Sequence, residues 1–330
     1  MQKIHHIVGA DLSKRTIDLF SHQSKSHICI DNNLSGFKKL LRWLKQQQIN
    51  PFELLIVMEH TGLYSFCFEA FLHRHRISFT KINALAVKRS IGLVRGKSDK
   101  IDARRIAEYG HEKQEKLEPE VACSKDTQRL QLLYSTRERL VKQKTGLLNA
   151  VKEYRNIGLK QTDSIMQSQA RLIKHLEKEI AKLEAEIKTI IQSNSSLHRN
   201  YQLLQTIKGV GKILALATLI KTRNFTRFTN ARKFACFCGT APFENTSGTS
   251  IRGKTRVSHL ADKQMKTLLD LSAKTAIQYD KELREYYLRR INNGKPKMST
   301  INIVRNKILY RMFAVIKRQT SFVENYLNAA

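Results

Sequence analysis

Leu54-Leu55-Ile56-Val57-Met58, followed at once by Glu59, is a short, continuous apolar run that reads as a central strand buried on both faces. A strand of that kind needs helices above and below the sheet. Its neighbours supply them. Residues 4–10 read as a first strand, 15–21 as its hairpin partner and 27–30 as a third. After Asn33, the apolar residues Phe37, Leu40, Leu41 and Leu44 fall at helical spacing, so one face packs on the sheet. A further helix follows Gly62, a strand spans about 77–82, and a last helix begins near Ser98. Residues 1–115 are therefore predicted to form an α/β domain, a mixed sheet covered by helices.

The next stretch, 116–199, changes character. Leu133, Leu140, Leu147 and Tyr154 recur every seven residues, and Ile173, Leu176, Ile180, Leu183, Ile187 and Ile190 keep a three-four alternation. That is a coiled-coil pattern. Asn156-Ile157-Gly158 supplies a turn, so an antiparallel helical hairpin is the simplest expectation. Pairing between two chains, giving a homo-oligomer such as a dimer or tetramer, is the alternative.

Residues 200–330 are expected to be mostly helical. In LLQTIKGVGKILALATLI (residues 203–220), two apolar stretches flank Gly209-Val210-Gly211. This is helix-hairpin-helix-like: a bare glycine turn lets backbone N–H groups, with Lys212 beside them, approach a phosphate. A glycine turn between two core helices explains the same residues equally well. A loop rich in Gly, Ser and Thr, GTAPFENTSGTSIRGKTR (239–256), precedes two amphipathic basic helices, about 262–292 and 299–318, with Asp262 and Ser299 as candidate caps.

Charge limits the partners. The 330 residues hold 59 Lys and Arg against 28 Asp and Glu, a formal net charge of +31 spread over most segments. That density suits a polyphosphate, so nucleic acid is the expected partner. No apolar run reaches bilayer length, and the opening MQKIHHIVGADLSK has no signal-peptide core, so the expected location is cytoplasmic, nucleoid-associated and bacterial in type, without membrane contact. Five scattered cysteines (Cys29, Cys67, Cys123, Cys236, Cys238) lack paired metal-binding spacing and read as buried thiols.

Against this basic background four acids stand out. Asp11 ends the first strand, Glu59 ends the buried one, and Asp99 and Asp102, three apart on a helix, share a face. Hard oxygen ligands suit Mg2+, with Mn2+ as a substitute, and two such ions can bind the attacking and leaving oxygens of a phosphodiester displacement. Taken singly, Asp99 reads as part of an ordinary helix start and Asp11 as a turn aspartate.

Three blocks carry a resemblance: Asp11-Leu12-Ser13-Lys14, Glu59-His60-Thr61-Gly62-Leu63-Tyr64 and Lys97-Ser98-Asp99-Lys100-Ile101-Asp102-Ala103. In order and spacing they resemble the DEDD transposases of insertion sequences, of the one-ten type, which include DNA invertases and bridge-RNA-guided recombinases. Gly239-Thr240-Ala241-Pro242, Ser247-Gly248 and Arg252-Gly253-Lys254 resemble the family's second half, so the likeness covers nearly the whole chain. Two departures are visible: Thr240 stands where leucine is usual, and Val257-Ser258-His259-Leu260-Ala261-Asp262 lacks the family's lysine and glycine.

The resemblance implies a ribonuclease-H-like (RuvC-like) first domain that holds magnesium through Asp11, Glu59, Asp99 and Asp102. It also implies a carboxy-terminal transposase domain in which Ser247 attacks a DNA phosphate and becomes covalently linked to it, with donor and target DNA and a guide RNA as partners. Ser250 is the local rival, and a plain surface loop is the bland alternative for this segment. Lys14, Lys97, Arg104 and Arg105 in the first domain, and Gly209, Gly211, Lys212, Arg252, Lys254 and Arg256 in the last, are the expected nucleic-acid contacts. Two other classes stay open: a junction-resolving nuclease in which water attacks, and a noncatalytic nucleic-acid-binding assembly protein.

Overall fold

The computed structural model describes residues 4–60, 62–90, 92, 96, 98–120, 124–247 and 251–323, with the backbone alone at 63, 245–247, 251, 252 and 254. The chain divides into two compact units, Met1–Ala122 and Cys123–Ala330.

In the first unit β1 (His6–Leu12), β2 (Thr16–Ser21) and β3 (His27–Asp31) form an antiparallel meander. After α1 (Leu34–Gln46), the chain returns as β4 (Leu54–Glu59), parallel to β1. It then continues through α2 (Phe66–Arg74) to β5 (Ser78–Ile82), parallel to β4. Helices α3 (Ala84–Ser90) and α4 (Asp99–Glu112) follow. The strand order is β3-β2-β1-β4-β5. This mixed sheet is consistent with a ribonuclease-H-like domain.

The apolar run of β4 has a simple explanation. Leu54, Ile56 and Met58 face one core with Phe37, Leu40, Leu44 and Phe68, while Leu55 and Val57 face another with Ile7, Ile82 and Ile106. Strand side chains alternate between faces, so burial on both sides leaves no place for a polar residue. Each fully buried Leu or Ile contributes about 1.5–3 kcal/mol.

Helix α4 lies directly on β1 and β2. A Cβ on Gly9 of β1 would collide with the Ala103 carbonyl and the Ala107 amide of α4, and one on Gly110 would sit 2.7 Å from Val57 Cγ2. Ala103 and Ala107 are fully buried here beside Phe20. Helix backbone therefore touches strand backbone, which only glycine and alanine permit.

In the second unit α5 (Lys125–Asn156) and α6 (Ser164–Ser193) form a hairpin. Its ion pairs Arg129–Glu186, Arg137–Glu184 and Lys144–Glu177 rise along one helix while they descend the other, so the pair is antiparallel. The turn begins at Ile157 and Gly158. At the base, Leu130, Leu133, Tyr134, Ile187 and Ile191 enter the same core as the helices that follow.

Those helices are α7 (Ser195–Gln205), α8 (Lys212–Thr222) and α9 (Ala231–Phe237), then α10 (Lys263–Tyr279), α11 (Lys281–Asn292) and α12 (Lys297–Arg318). A two-stranded ribbon, β6 (Pro242–Ser247) and β7 (Ile251–Val257), lies between α9 and α10.

Asp262 caps α10 as expected, accepting from the Met265 N–H at 2.9 Å. The helix expected to span 262–292 is in fact two. Asp280 interrupts it, accepting from the Leu283 N–H at 2.9 Å to cap α11 and from Arg311 at 2.6 Å on its other oxygen. Among the described cysteines only Cys238 is buried, while Cys29 and Cys67 are exposed, against the expectation of buried thiols. Ser299 is not a cap: α12 starts earlier, after Pro296. Proline has no N–H to lose at such an edge.

If backbone contact is what seats α4, Gly9→Ala will force the helix off the sheet and destabilise the protein by about 1–3 kcal/mol or more, the usual cost of overpacking. Thermal unfolding checks this, and an unchanged melting temperature would refute the packing argument.

Candidate functional site: an acidic cluster and a serine-bearing ribbon

Parallel pairing places Ala10 beside Met58, so Asp11 and Glu59 follow at the carboxy-terminal ends of adjacent strands. Asp99 and Asp102 occupy the first turn of α4, which Ser98 caps by accepting from the Ile101 N–H at 3.3 Å. Acids in a first turn are stabilised by the helix dipole. Because α4 rests on β1 through Gly9, its first turn belongs to the same side of the domain as Asp11.

The electrostatics follow from this placement. The Asp11 carboxyl is pushed up to about 6, first by burial and then by the charges of Asp99, Glu59, Asp102 and Asp18. All three of the other sequence-selected acids thus act on Asp11. They do not form a ready-made cage: among the described residues, no group of three or more His, Cys, Asp or Glu is close enough to hold an ion. Asp102 receives Arg105 at 3.0 Å, and the same guanidinium donates to the Gly96 carbonyl at 3.1 Å. The donors are all hard oxygens under mutual repulsion, a set that fits a divalent cation.

Asp18 was not apparent from sequence. It lies opposite Asp11 across the β1–β2 pair and is 8% exposed, with Oδ1 2.7 Å from His27 Nε2. The signal available was an acid inside the apolar strand Thr16–Ser21. A buried ion pair was also missed: Lys81 of β5 donates to both oxygens of Glu69 at 2.9 Å, and Ser65 Oγ donates to one of them at 2.5 Å.

The expected basic contacts are dispersed. Lys14 is exposed on the turn after β1, Arg104 is exposed and pairs with Glu108 at 2.8 Å, and Lys97 lies outside the described residues. Gly209 has φ +90°, and a Cβ there would lie 2.6 Å from the Ser272 carbonyl and 2.9 Å from Ala276 Cβ, so packing against α10 already requires glycine. Gly211 and Lys212 begin α8 and are exposed.

Ser247 ends β6, its backbone paired with Ile251. Gly248 and Ser250 lie outside the described residues, as do the side chains of Ser247, Arg252 and Lys254; Arg256, across from Phe243, is exposed. The root of this ribbon is fastened to α12. The buried Thr240 carbonyl accepts from Asn302 Nδ2 and Asn306 Nδ2, each at 2.8 Å, and Thr240 Oγ1 donates to Asn306 Oδ1 at 3.0 Å. No sequence motif had marked either asparagine.

Residues 8–154 match the DEDD transposase model of the IS110 group, and residues 201–288 match the model described as the transposase IS116/IS110/IS902 family. The chain belongs to the IS110-type transposases.

This transposase is 27% identical over 332 residues to the pilin gene-inverting protein of Moraxella bovis, spanning 96% of this chain and 97% of that one. It is 22% identical over 347 residues to a probable family 20 transposase of Pseudomonas aeruginosa, with 96% and 98% covered. Over 167 residues it is 27% identical to an uncharacterized 43.6 kDa protein of the insertion element IS110 of Streptomyces coelicolor, with 51% and 40% covered. The transposase is thus an enzyme of DNA transposition or recombination, with DNA as its substrate. No helix among the described residues is long and apolar enough to cross a membrane.

Two outcomes follow from these contacts. A folded-state value of about 6 exceeds the ordinary aspartate value of 3.8, so Asp11 lowers stability as pH rises through that interval. In chelator-treated buffer, Asp11→Asn should stabilise the transposase at pH 7 by on the order of 1 kcal/mol, allowing for solvent screening, and the gain should vanish below about pH 4. Denaturant titrations across pH measure it. Asn306→Ala should leave the buried Thr240 groups short of partners, at about 1–3 kcal/mol. It should depress strand exchange more than DNA binding, and equal losses in both assays would remove the positioning role.

Proposed function

We propose that this transposase cuts and exchanges DNA strands through a serine-linked intermediate. In this reading Asp11, Glu59, Asp99 and Asp102 hold magnesium, or manganese in its place, and Ser247 is the nucleophile. The observation that carries it is the setting of Asp11, whose carboxyl is pushed up first by burial and then by the charges of Asp99, Glu59 and Asp102, a repulsion that a divalent cation would relieve. When bound, the metal supplies activation of the attacking oxygen and stabilisation of the leaving one.

The chain's own groups do the rest. Ser247 Oγ passes its proton to solvent and bonds to phosphorus as the bond from phosphorus to the bridging oxygen breaks; that oxygen takes a proton from solvent and departs as a free hydroxyl, so the phosphodiester energy is kept in the new ester. Arg252, Lys254 and Arg256 neutralise the non-bridging oxygens, and Asn302 and Asn306 hold the root of the ribbon that contains Ser247. Exchange is favoured over hydrolysis by water because a relative of nearly the same length is named for gene inversion.

Assembly and guidance extend the proposal. The heptad residues Leu140, Leu147 and Tyr154 are only partly buried by the hairpin, and Leu148 and Leu172 are 45% and 49% exposed. Coiled-coil pairing with a second copy would cover them. The net charge of +31 leaves capacity for a guide RNA as well as DNA.

The test is covalent trapping. With cleavable DNA and magnesium, denatured wild-type protein should migrate with DNA attached; chelation or Asp11→Ala should lower strand exchange by at least about 10³-fold. An adduct that persists in Ser247→Ala rules out that nucleophile. A uniform RNA copurifying after nuclease-free lysis would support guidance, whereas random cellular RNA would count against it.

A further inference from the structure

Three cations converge on one ring where α11 meets α12. Arg289 Cζ lies 5.7 Å, Arg290 Cζ 5.9 Å and Lys307 Nζ 4.6 Å from the centroid of Tyr286. Between Lys281 and Lys297 there are six basic residues and two acids. One of those acids, Glu282, is 3.8 Å from Lys307 but closer, at 2.6 Å, to Arg311. Among the described residues no carboxylate pairs with Arg289 or Arg290, and the buried Nε of Arg290 has no acceptor.

The ring accounts for only part of this arrangement. A π-system attracts each cation singly, yet three positive charges around one ring repel one another. A bound anion would remove the repulsion and give Arg290 its missing acceptor. Guanidinium forks match the paired oxygens of a phosphate, and lysine adds a point charge. Tyr310, one turn beyond Lys307 on α12, is 51% exposed. An exposed aromatic ring near a cationic cluster suits a nucleic-acid strand, whose bases need a surface to stack on.

We propose that the Tyr286 cluster, with Arg289, Arg290 and Lys307, is a nucleic-acid backbone site of the second unit that grips a phosphodiester. The assignment rests on the reading of this chain as a nucleic-acid-processing transposase, and it adds a contact surface separate from the acids and from the serine ribbon. DNA and a folded RNA share this chemistry, so both serve as probes.

The experiment compares full-length wild type with Arg289→Ala/Arg290→Ala/Lys307→Ala by fluorescence anisotropy, on a duplex DNA and on a hairpin RNA, between 50 and 200 mM salt (about the range in which counterion release is read). The triple variant should lose about 10-fold or more in affinity for at least one probe. Its log–log salt slope on duplex should be shallower by about 2 to 3, near 0.9 for each phosphate contact removed. A loss on DNA alone or RNA alone identifies which strand is held.

Arg289→Ala/Lys307→Ala, which leaves the half-buried Arg290 in place, should show a smaller change in the same direction; Arg289→Lys/Arg290→Lys should keep the slope and lose part of the affinity. Unchanged slopes in a folded triple variant, with wild type binding normally, overturn this site alone. Strand exchange by wild type judges the catalytic reading separately, and wild type that binds neither probe overturns both.

Discussion

Backbone against backbone is the contact on which the first unit depends. Helix α4 approaches β1 so closely that Gly9 has no room for a Cβ, and the helix presents Ala103, Ala107 and Gly110 to the sheet. Helices usually stand off a sheet by a layer of side chains. Removing that layer here lowers the first turn of α4, with Asp99 and Asp102, to the level of the strand ends. Glu59 arrives by a different route, through parallel pairing of β4 with β1. Asp11 feels the sum, and its proton is held more tightly than an ordinary carboxylate would hold it.

A chain with this much positive charge gains little from clustering acids unless the cluster does something the cations cannot. Basic side chains attract and orient a polyanion over a long range, but they cannot ligate a metal at a scissile bond. In the proposed function, where the acids hold a metal, the two charge systems are complementary. Arg105 sits at their junction, paired with Asp102 and tied to the Gly96 carbonyl, so one of the acids is already partly neutralised by the protein itself. In the second unit the corresponding constraint is polar: two asparagines of α12 converge on one buried carbonyl, and that fixes the root of the β6–β7 ribbon. Groups of this kind are costly to leave unpaired, which makes the attachment specific.

Much of this was legible beforehand, for identifiable reasons. The β4 run could be read because burial on both faces erases the polar half of the pattern, and α4 because Ser98 is a capping residue followed by acids. The hairpin of α5 and α6 was legible from its seven-residue spacing. Other features carried no local mark. Asp18 looks like any polar residue in a strand until antiparallel register sets it opposite Asp11. The break between α10 and α11 was invisible because the periodicity runs through it; Asp280 ends one helix by capping the next, a choice sealed by Arg311 from a distant helix. Within α12, Asn302 and Asn306 bond only to Arg305 and to the Asn302 carbonyl, and they acquire their role at the ribbon through Thr240, more than sixty residues earlier.

By itself the sequence determined the main strands and helices of the first unit, the helical hairpin, the overall charge, and the four acids at the ends of predicted elements, because periodicity, capping and composition act over a few neighbouring residues; it did not reveal the β6–β7 ribbon, whose 239–256 segment reads as a loop. Only the tertiary structure decided which face each acid shares, how strongly Asp11 is perturbed, and what holds the serine-bearing ribbon. Those properties depend on register, close approach and partners far apart in the chain, and the electrostatic coupling of two carboxylates follows their separation in space rather than in sequence.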